Sequence, residues 1–166
     1  GEGILVLKAI ECREQGIQLD ETADLLDVLR HCVCQIFTVD DLMHLRRSGR
    51  ISNATALVGT VLQIKPLLKG NEEGKIVTFA KIRGRKKAIE AIAEKYDALV
   101  DGAEMQTVGI AHAGCHEDAE MLANLLRRHR PPKEILTVDY EPVTGSHVGP
   151  GALALFFIGE PDVRAK

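Results

Sequence analysis

Apolar positions recur along this chain at two spacings, about 3.6 and about 2, and the switches between them lay out the elements. Ile4, Leu7 and Cys12 alternate with Lys8, Glu11 and Arg13, which predicts a helix over Ile4–Glu14 with Gly16 as its C-terminal cap. Asp20-Glu21-Thr22-Ala23 opens a second helix that carries Leu25, Leu26, Val28 and Leu29. Gln35–Val39 reads as a short strand, and Asp40-Asp41 caps a brief helix over Leu42–Arg47. Ser52-Asn53 caps a further helix, Ala54–Gln63, apolar nearly all round and so expected to be buried. Two runs, Lys65–Lys69 and Lys75–Ile82, flank Gly70-Asn71-Glu72-Glu73-Gly74 as a β-hairpin. After it the pattern alternates: helix Arg85–Asp97, strand Thr107–Ala111, helix Glu117–His129, strand Ile135–Tyr140 and strand Ala152–Ile158. The fold class this predicts is α/β, a mixed β-sheet flanked by helices.

Length and composition fit that picture. At 166 residues, 45% hydrophobic and 27% charged, the chain suits one globular domain spanning 1–166. There is no Trp, and aromatics are 4%. With a formal net charge of −3, that argues against a base-stacking nucleic-acid surface or a global attraction to anionic membranes. No apolar run is long enough to span a bilayer. The chain starts at Gly1 without a basic signal region and is expected to be a piece of a longer cytoplasmic protein. Its four cysteines are expected as free thiols, because Cys32-Val33-Cys34 is too tightly spaced for a zinc knuckle and no second pair complements Cys115-His116. No metal site and no cofactor are expected.

Three segments carry candidate chemistry. Gly145-Ser146-His147-Val148-Gly149-Pro150-Gly151 sets a histidine among glycines just before an apolar strand; it reads either as a plain turn or as a loop aiming N–H groups and an imidazole at an anion. Arg46-Arg47-Ser48-Gly49-Arg50 places three arginines before a helix N-terminus, which suits carboxylate or phosphate as well as a solvated loop. Lys81-Ile82-Arg83-Gly84-Arg85-Lys86-Lys87 puts five basic residues where a strand hands over to a helix, against that helix's own dipole. His112, at a strand end, is a lesser candidate. No nucleophile elbow, phosphate loop, dinucleotide fingerprint or zinc-protease motif is present, so no catalytic residue is assigned.

Taken together with Phe37-Thr38-Val39-Asp40-Asp41-Leu42, Gly49-Arg50-Ile51-Ser52 and Ile64-Lys65-Pro66-Leu67-Leu68, these motifs in this order resemble the DegV family of bacterial fatty-acid-binding proteins. The resemblance implies a two-domain α/β protein of which this chain is the C-terminal lipid-binding domain with the connecting helices, the N-terminal domain being absent. It implies a long-chain fatty acid in an apolar tunnel, held at its carboxylate by His147, Ser146, Gly149, Gly151 and Arg50. Arg83 and Arg85 are implied to meet a partner or acyl phosphate, the partner being a separate fatty-acid kinase. The role so implied is a carrier without catalytic machinery. Tunnel lining is expected from Ala54–Gln63, Leu67, Leu68, Phe79 and Ala152–Ile158. Two other functions stay open on the residues alone: a small-molecule hydrolase or transferase using His147 and Cys115, and a nucleic-acid module using the basic cluster.

Overall fold

The computed structural model describes residues 1–51, 63–161 and 163. Six strands form one mixed sheet in the order β3-β2-β1-β6-β4-β5. They are β1 Val33–Thr38, β2 Ile64–Gly70, β3 Ile76–Arg83, β4 Thr107–His112, β5 Glu134–Asp139 and β6 Leu153–Ile158. The helices are α1 Glu2–Glu14, α2 Leu19–Cys32, α3 Leu42–Arg47, α4 Arg85–Leu99, α5 His116–His129 and α6 Pro142–Val148. All strand pairs are antiparallel except β4–β5, which α5 connects as a parallel crossover. Pro66 is tolerated inside β2 because the pairing with β1 ends at Leu67, so its missing N–H removes no bond on that side.

The two faces of the sheet differ. Cys34, Ile36, Leu67, Ile110, Leu155 and Phe157 point to the face covered by α4 and α5, and there the main core forms around Ile89, Ile92, Tyr96 and Leu122. Tyr96 is fully buried; its hydroxyl donates to the Arg130 carbonyl at 3.0 Å, and burial pushes its pKa up to about 12. On the opposite face a smaller cluster, Val39, Leu42, Leu45, Ile51, Leu68, Val148 and Ala152, seals one end under α3 and α6. Between that cluster and α1 the face is less covered: Leu136 and Val138 on β5 each keep 44% of their surface exposed.

Most expected elements form within a residue or two of the sequence reading. Gly16 adopts φ 75° directly after α1, and the N–H of Ile17 closes the cap on the Cys12 carbonyl at 3.0 Å. The clearest difference is at 142–148, where a glycine loop was expected and a helix, α6, forms. Pro142 fixes φ at its first position, and the Glu141 side chain accepts from the Thr144 N–H at 2.9 Å; together they start a helix that Gly145 and Gly149 disguise in sequence. The strand expected to reach Tyr140 ends at Asp139, though the Tyr140 N–H still donates to the His112 carbonyl at the end of β4. Of the helix expected over Ala54–Gln63, residues 54–62 and its cap Ser52-Asn53 lie outside the described residues, and Gln63 sits in a turn at φ 68° rather than in a helix.

Candidate carboxylate site

Two short helices that pack on each other, α3 and α6, build the site. Asp41 caps α3, accepting from Met43 N–H at 2.8 Å, and Gly49 at φ 72° turns the chain out of its far end. Arg50 follows that turn. Its Nη1 donates to the Ser48 carbonyl at 2.6 Å, which leaves Nη2 3.3 Å from Nε2 of His147. His147 lies in the last turn of α6, half-buried, while Arg50 is exposed. Guanidinium only donates, so Nε2 is the accepting nitrogen at this contact. A cation and an imidazole 97 residues apart in sequence thus meet side by side, the pairing an incoming carboxylate needs.

The other expected site residues take separate positions. Ser146 turns back on its own helix, its hydroxyl donating to the Val143 carbonyl at 2.7 Å. Gly149 and Gly151 both have φ 77° and both lie under close neighbours: a Cβ on Gly149 would sit 2.5 Å from the His44 ring, and one on Gly151 would collide with the Asp40 carboxylate. Arg83 ends β3 with its side chain exposed. Arg85, two residues on, turns inward: Nε reaches Asp118 at 2.8 Å and Nη1 lies 3.5 Å from Asp40. Those two carboxylates answer the conflict between a basic cluster and the positive end of α4. His112 is buried, with Nδ1 3.2 Å from Asp139 and its ring edge-on to His116, a structural setting at the end of β4.

Next to this cluster an apolar cavity of about 560 Å³ opens on the less covered sheet face, in the size range of small-molecule sites. Its walls are Ile4 and Leu7 of α1, Gly109 and Ala111 of β4, Leu136 and Val138 of β5, and Phe156 of β6. Gly109 and Ala111, small residues on β4 between β6 and the edge strand β5, give the floor its depth. Asp139, Tyr140, Glu141 and Thr144 form the polar end. Thr144 and His147 are three apart on α6 and share a face, so the cavity leads toward the Arg50–His147 pair without being lined by it. The expected tunnel residues distribute differently: Phe156 lines the cavity, while Leu67, Leu68, Leu155 and Phe157 belong to the cores and Phe79 packs against one. A second groove of about 480 Å³ runs between α1 and α2 and touches neither α3 nor α6. Among the described residues no cluster of three or more His, Cys, Asp or Glu side chains is placed to hold a metal, and no helix is long and apolar enough to cross a membrane.

At the entry to α6, Glu141 is held well below the usual glutamate range, first by the Thr144 hydroxyl and next by its N–H. A depressed carboxyl stabilises the folded state above its unfolded pKa and loses that contribution as pH falls through the folded value. Protection at Thr144 and Gly145, the exchange rate referred to the intrinsic rate at the same pH, is therefore expected to fall as the solution is acidified below about pH 4.3. Glu141→Gln should show low protection at every pH, and protection in the unsubstituted protein that stays constant through this range would show that the Glu141 carboxylate does not hold the start of α6.

Residues 1–160 match the family model described as "Uncharacterised protein, DegV family". A DegV domain-containing protein of Clostridium perfringens is 41% identical over 161 residues, 96% of this chain and 55% of that protein. A fatty acid binding DegV family protein of Streptococcus agalactiae superposes with a TM-score of 0.79 at 33% identity, covering 94% of this chain and 55% of that one. A DegV family protein of Thermus thermophilus, described by its fatty acid binding, gives 0.84 at 31% identity over 95% and 56%. The fatty acid kinase B3 protein of Streptococcus pneumoniae, loaded with linoleic acid, gives 0.82 at 21% identity over 94% and 55%, a likeness of fold. The chain spans about half the length of these relatives, and it belongs to the DegV family.

Proposed function

We propose that this chain is the acyl-holding part of a fatty-acid-binding protein: the hydrocarbon lies in the cavity over Gly109, Ala111 and Phe156, and the carboxylate reaches Arg50 and His147. The observation that carries the reading is the 3.3 Å contact between Arg50 and His147 beside an apolar cavity of about 560 Å³. Its support includes the fatty acid binding stated for the relatives from Streptococcus agalactiae and Thermus thermophilus. Each methylene taken from water contributes about 0.8 kcal/mol, so chain burial supplies most of the affinity and the polar pair sets orientation. The remaining carboxylate donors belong to the N-terminal domain that the resemblance implies. The protein then acts as a carrier in the cytoplasm, without a cofactor, and presents the bound acid to a separate acyl kinase. In this reading Arg83, exposed at the end of β3, meets that partner.

A thiol-dependent hydrolase is less well supported. Burial pushes the Cys115 thiol up, away from a reactive thiolate, and its sulfur is occupied by the Ala152 carbonyl at 3.3 Å and Arg85 at 3.6 Å. Native mass spectrometry of the purified protein, followed by delipidation and titration with palmitate and oleate, tests the proposal. One bound fatty acid per chain and saturable rebinding are expected. No co-purified lipid and no binding of either acid would overturn it.

A further inference from the structure

We infer that Arg85 is a positioning residue: it fixes the Gly149–Ala152 turn, and through it the imidazole of His147, in the arrangement that receives a carboxylate. The inference rests on the fatty-acid reading and adds a residue to it. Arg85 opens α4, where a cation opposes the helix dipole, and its side chain keeps only 20% exposure. Such a placement is stable only if the guanidinium is held from several sides, and three groups hold it. Nε meets Asp118 in the first turn of α5 at 2.8 Å. Nη2 donates to the Cys115 sulfur at 3.6 Å. Nη1 faces Asp40 at 3.5 Å, a charge contact rather than a hydrogen bond.

Two of those partners bear on the same stretch of backbone. Asp40, held also by Lys65 at 2.6 Å, lies against Gly151 so closely that no Cβ fits between them. Cys115 donates its S–H to the Ala152 carbonyl at 3.3 Å. That carbonyl also accepts from Ala113 N–H, and Gly151 N–H donates to the Ala113 carbonyl at 2.8 Å. The turn is thereby gripped on both sides of the Gly151–Ala152 peptide. Its other end, Gly149, donates back to Gly145 inside α6 at 2.9 Å, which sets the last turn of the helix where His147 stands. A planar fork can bond Asp118 and Cys115 while its third nitrogen faces Asp40; a lysine point charge cannot.

The test is palmitate titration of delipidated protein carrying Arg85→Gln, His147→Ala or both, with the ring nitrogen NMR shifts of His147 read without ligand. Arg85→Gln is expected to weaken palmitate binding about tenfold, Arg85→Lys to restore little of it, and Asp118→Asn to give an intermediate loss. Because Arg85 acts through His147, adding Arg85→Gln to His147→Ala should cost little more, whereas a general weakening of the fold would multiply the two losses. Wild-type affinity in Arg85→Gln, multiplicative losses, or unchanged His147 ring shifts in the ligand-free variant would each overturn the inference. Failure of the unsubstituted protein to bind palmitate would overturn the fatty-acid reading instead, while the ring shifts still decide the positioning role.

Discussion

Arg50→Ala is expected to weaken binding of a long-chain carboxylate by about 10- to 150-fold, the range that loss of a charge-assisted hydrogen bond of ~1.5–3 kcal/mol implies. Arg50 is exposed, so solvent screens it and the lower half of that range is expected. Arginine and imidazole touch each other at 3.3 Å and in the proposed site share one carboxylate, so the losses in Arg50→Ala and His147→Ala should not simply multiply. The chemistry also separates head from tail. A long-chain alcohol of the same length has no carboxylate for Arg50 to pair with, and its binding should be nearly indifferent to Arg50→Ala. Titrating palmitate and hexadecanol against both proteins distinguishes the cases. Equal losses for acid and alcohol would show that Arg50 shapes the cavity rather than the head-group site, and no loss for either would remove it from the site.

The proposed head-group residues were legible because each stands in a short, unusual motif: Arg50 behind a glycine after two arginines, His147 between glycines. What they do to each other was not legible, since the contact joins positions 97 apart. The same holds for Asp40 and Asp118. Read in sequence, Asp40 is half of a helix-capping pair and Asp118 is an ordinary first-turn acid. Only the fold brings both to Arg85 and turns it inward, away from the surface its sequence neighbours suggest. The sheet was legible from alternation, but its coverage was not. Leu136 and Val138 alternate as a buried strand does, yet each keeps 44% of its surface exposed, because periodicity reports which face a residue points to and not what packs there. For the same reason the described residues among those expected to line a tunnel divide between the two faces: Leu67, Leu155 and Phe157 join the α4–α5 core, while Leu68 and Phe156 lie on the other side. Helix α6 was hidden by its glycines, which argue for a loop one at a time; Pro142 and the Glu141–Thr144 cap act together and outweigh a helix penalty of about 1 kcal/mol for Gly145.

Gly151→Ala should be far more damaging than its small size change suggests, and a second glycine provides the control. Gly74, in the β2–β3 turn, has φ 74° and nothing within 4 Å of where a Cβ would stand. Alanine there costs only the left-handed backbone, about 1–2 kcal/mol. Gly151 has nearly the same φ, 77°, so it incurs the same backbone cost, but its Cβ would enter the Asp40 carboxylate. Asp40 cannot withdraw freely, because Lys65 holds it at 2.6 Å and Arg85 faces it from the other side. Overpacking against a fixed group adds about 1–3 kcal/mol, giving a total near ~2–5 kcal/mol for Gly151→Ala. The difference in unfolding free energy between the two variants isolates the contact from the backbone strain they share. Equal destabilisation would mean that Asp40 swings aside, and the grip on the Gly151–Ala152 peptide would then rest on Cys115 and the two Ala113 backbone bonds. Adding Asp40→Ala to Gly151→Ala makes room for the new methyl, so part of the stability should return in the double variant.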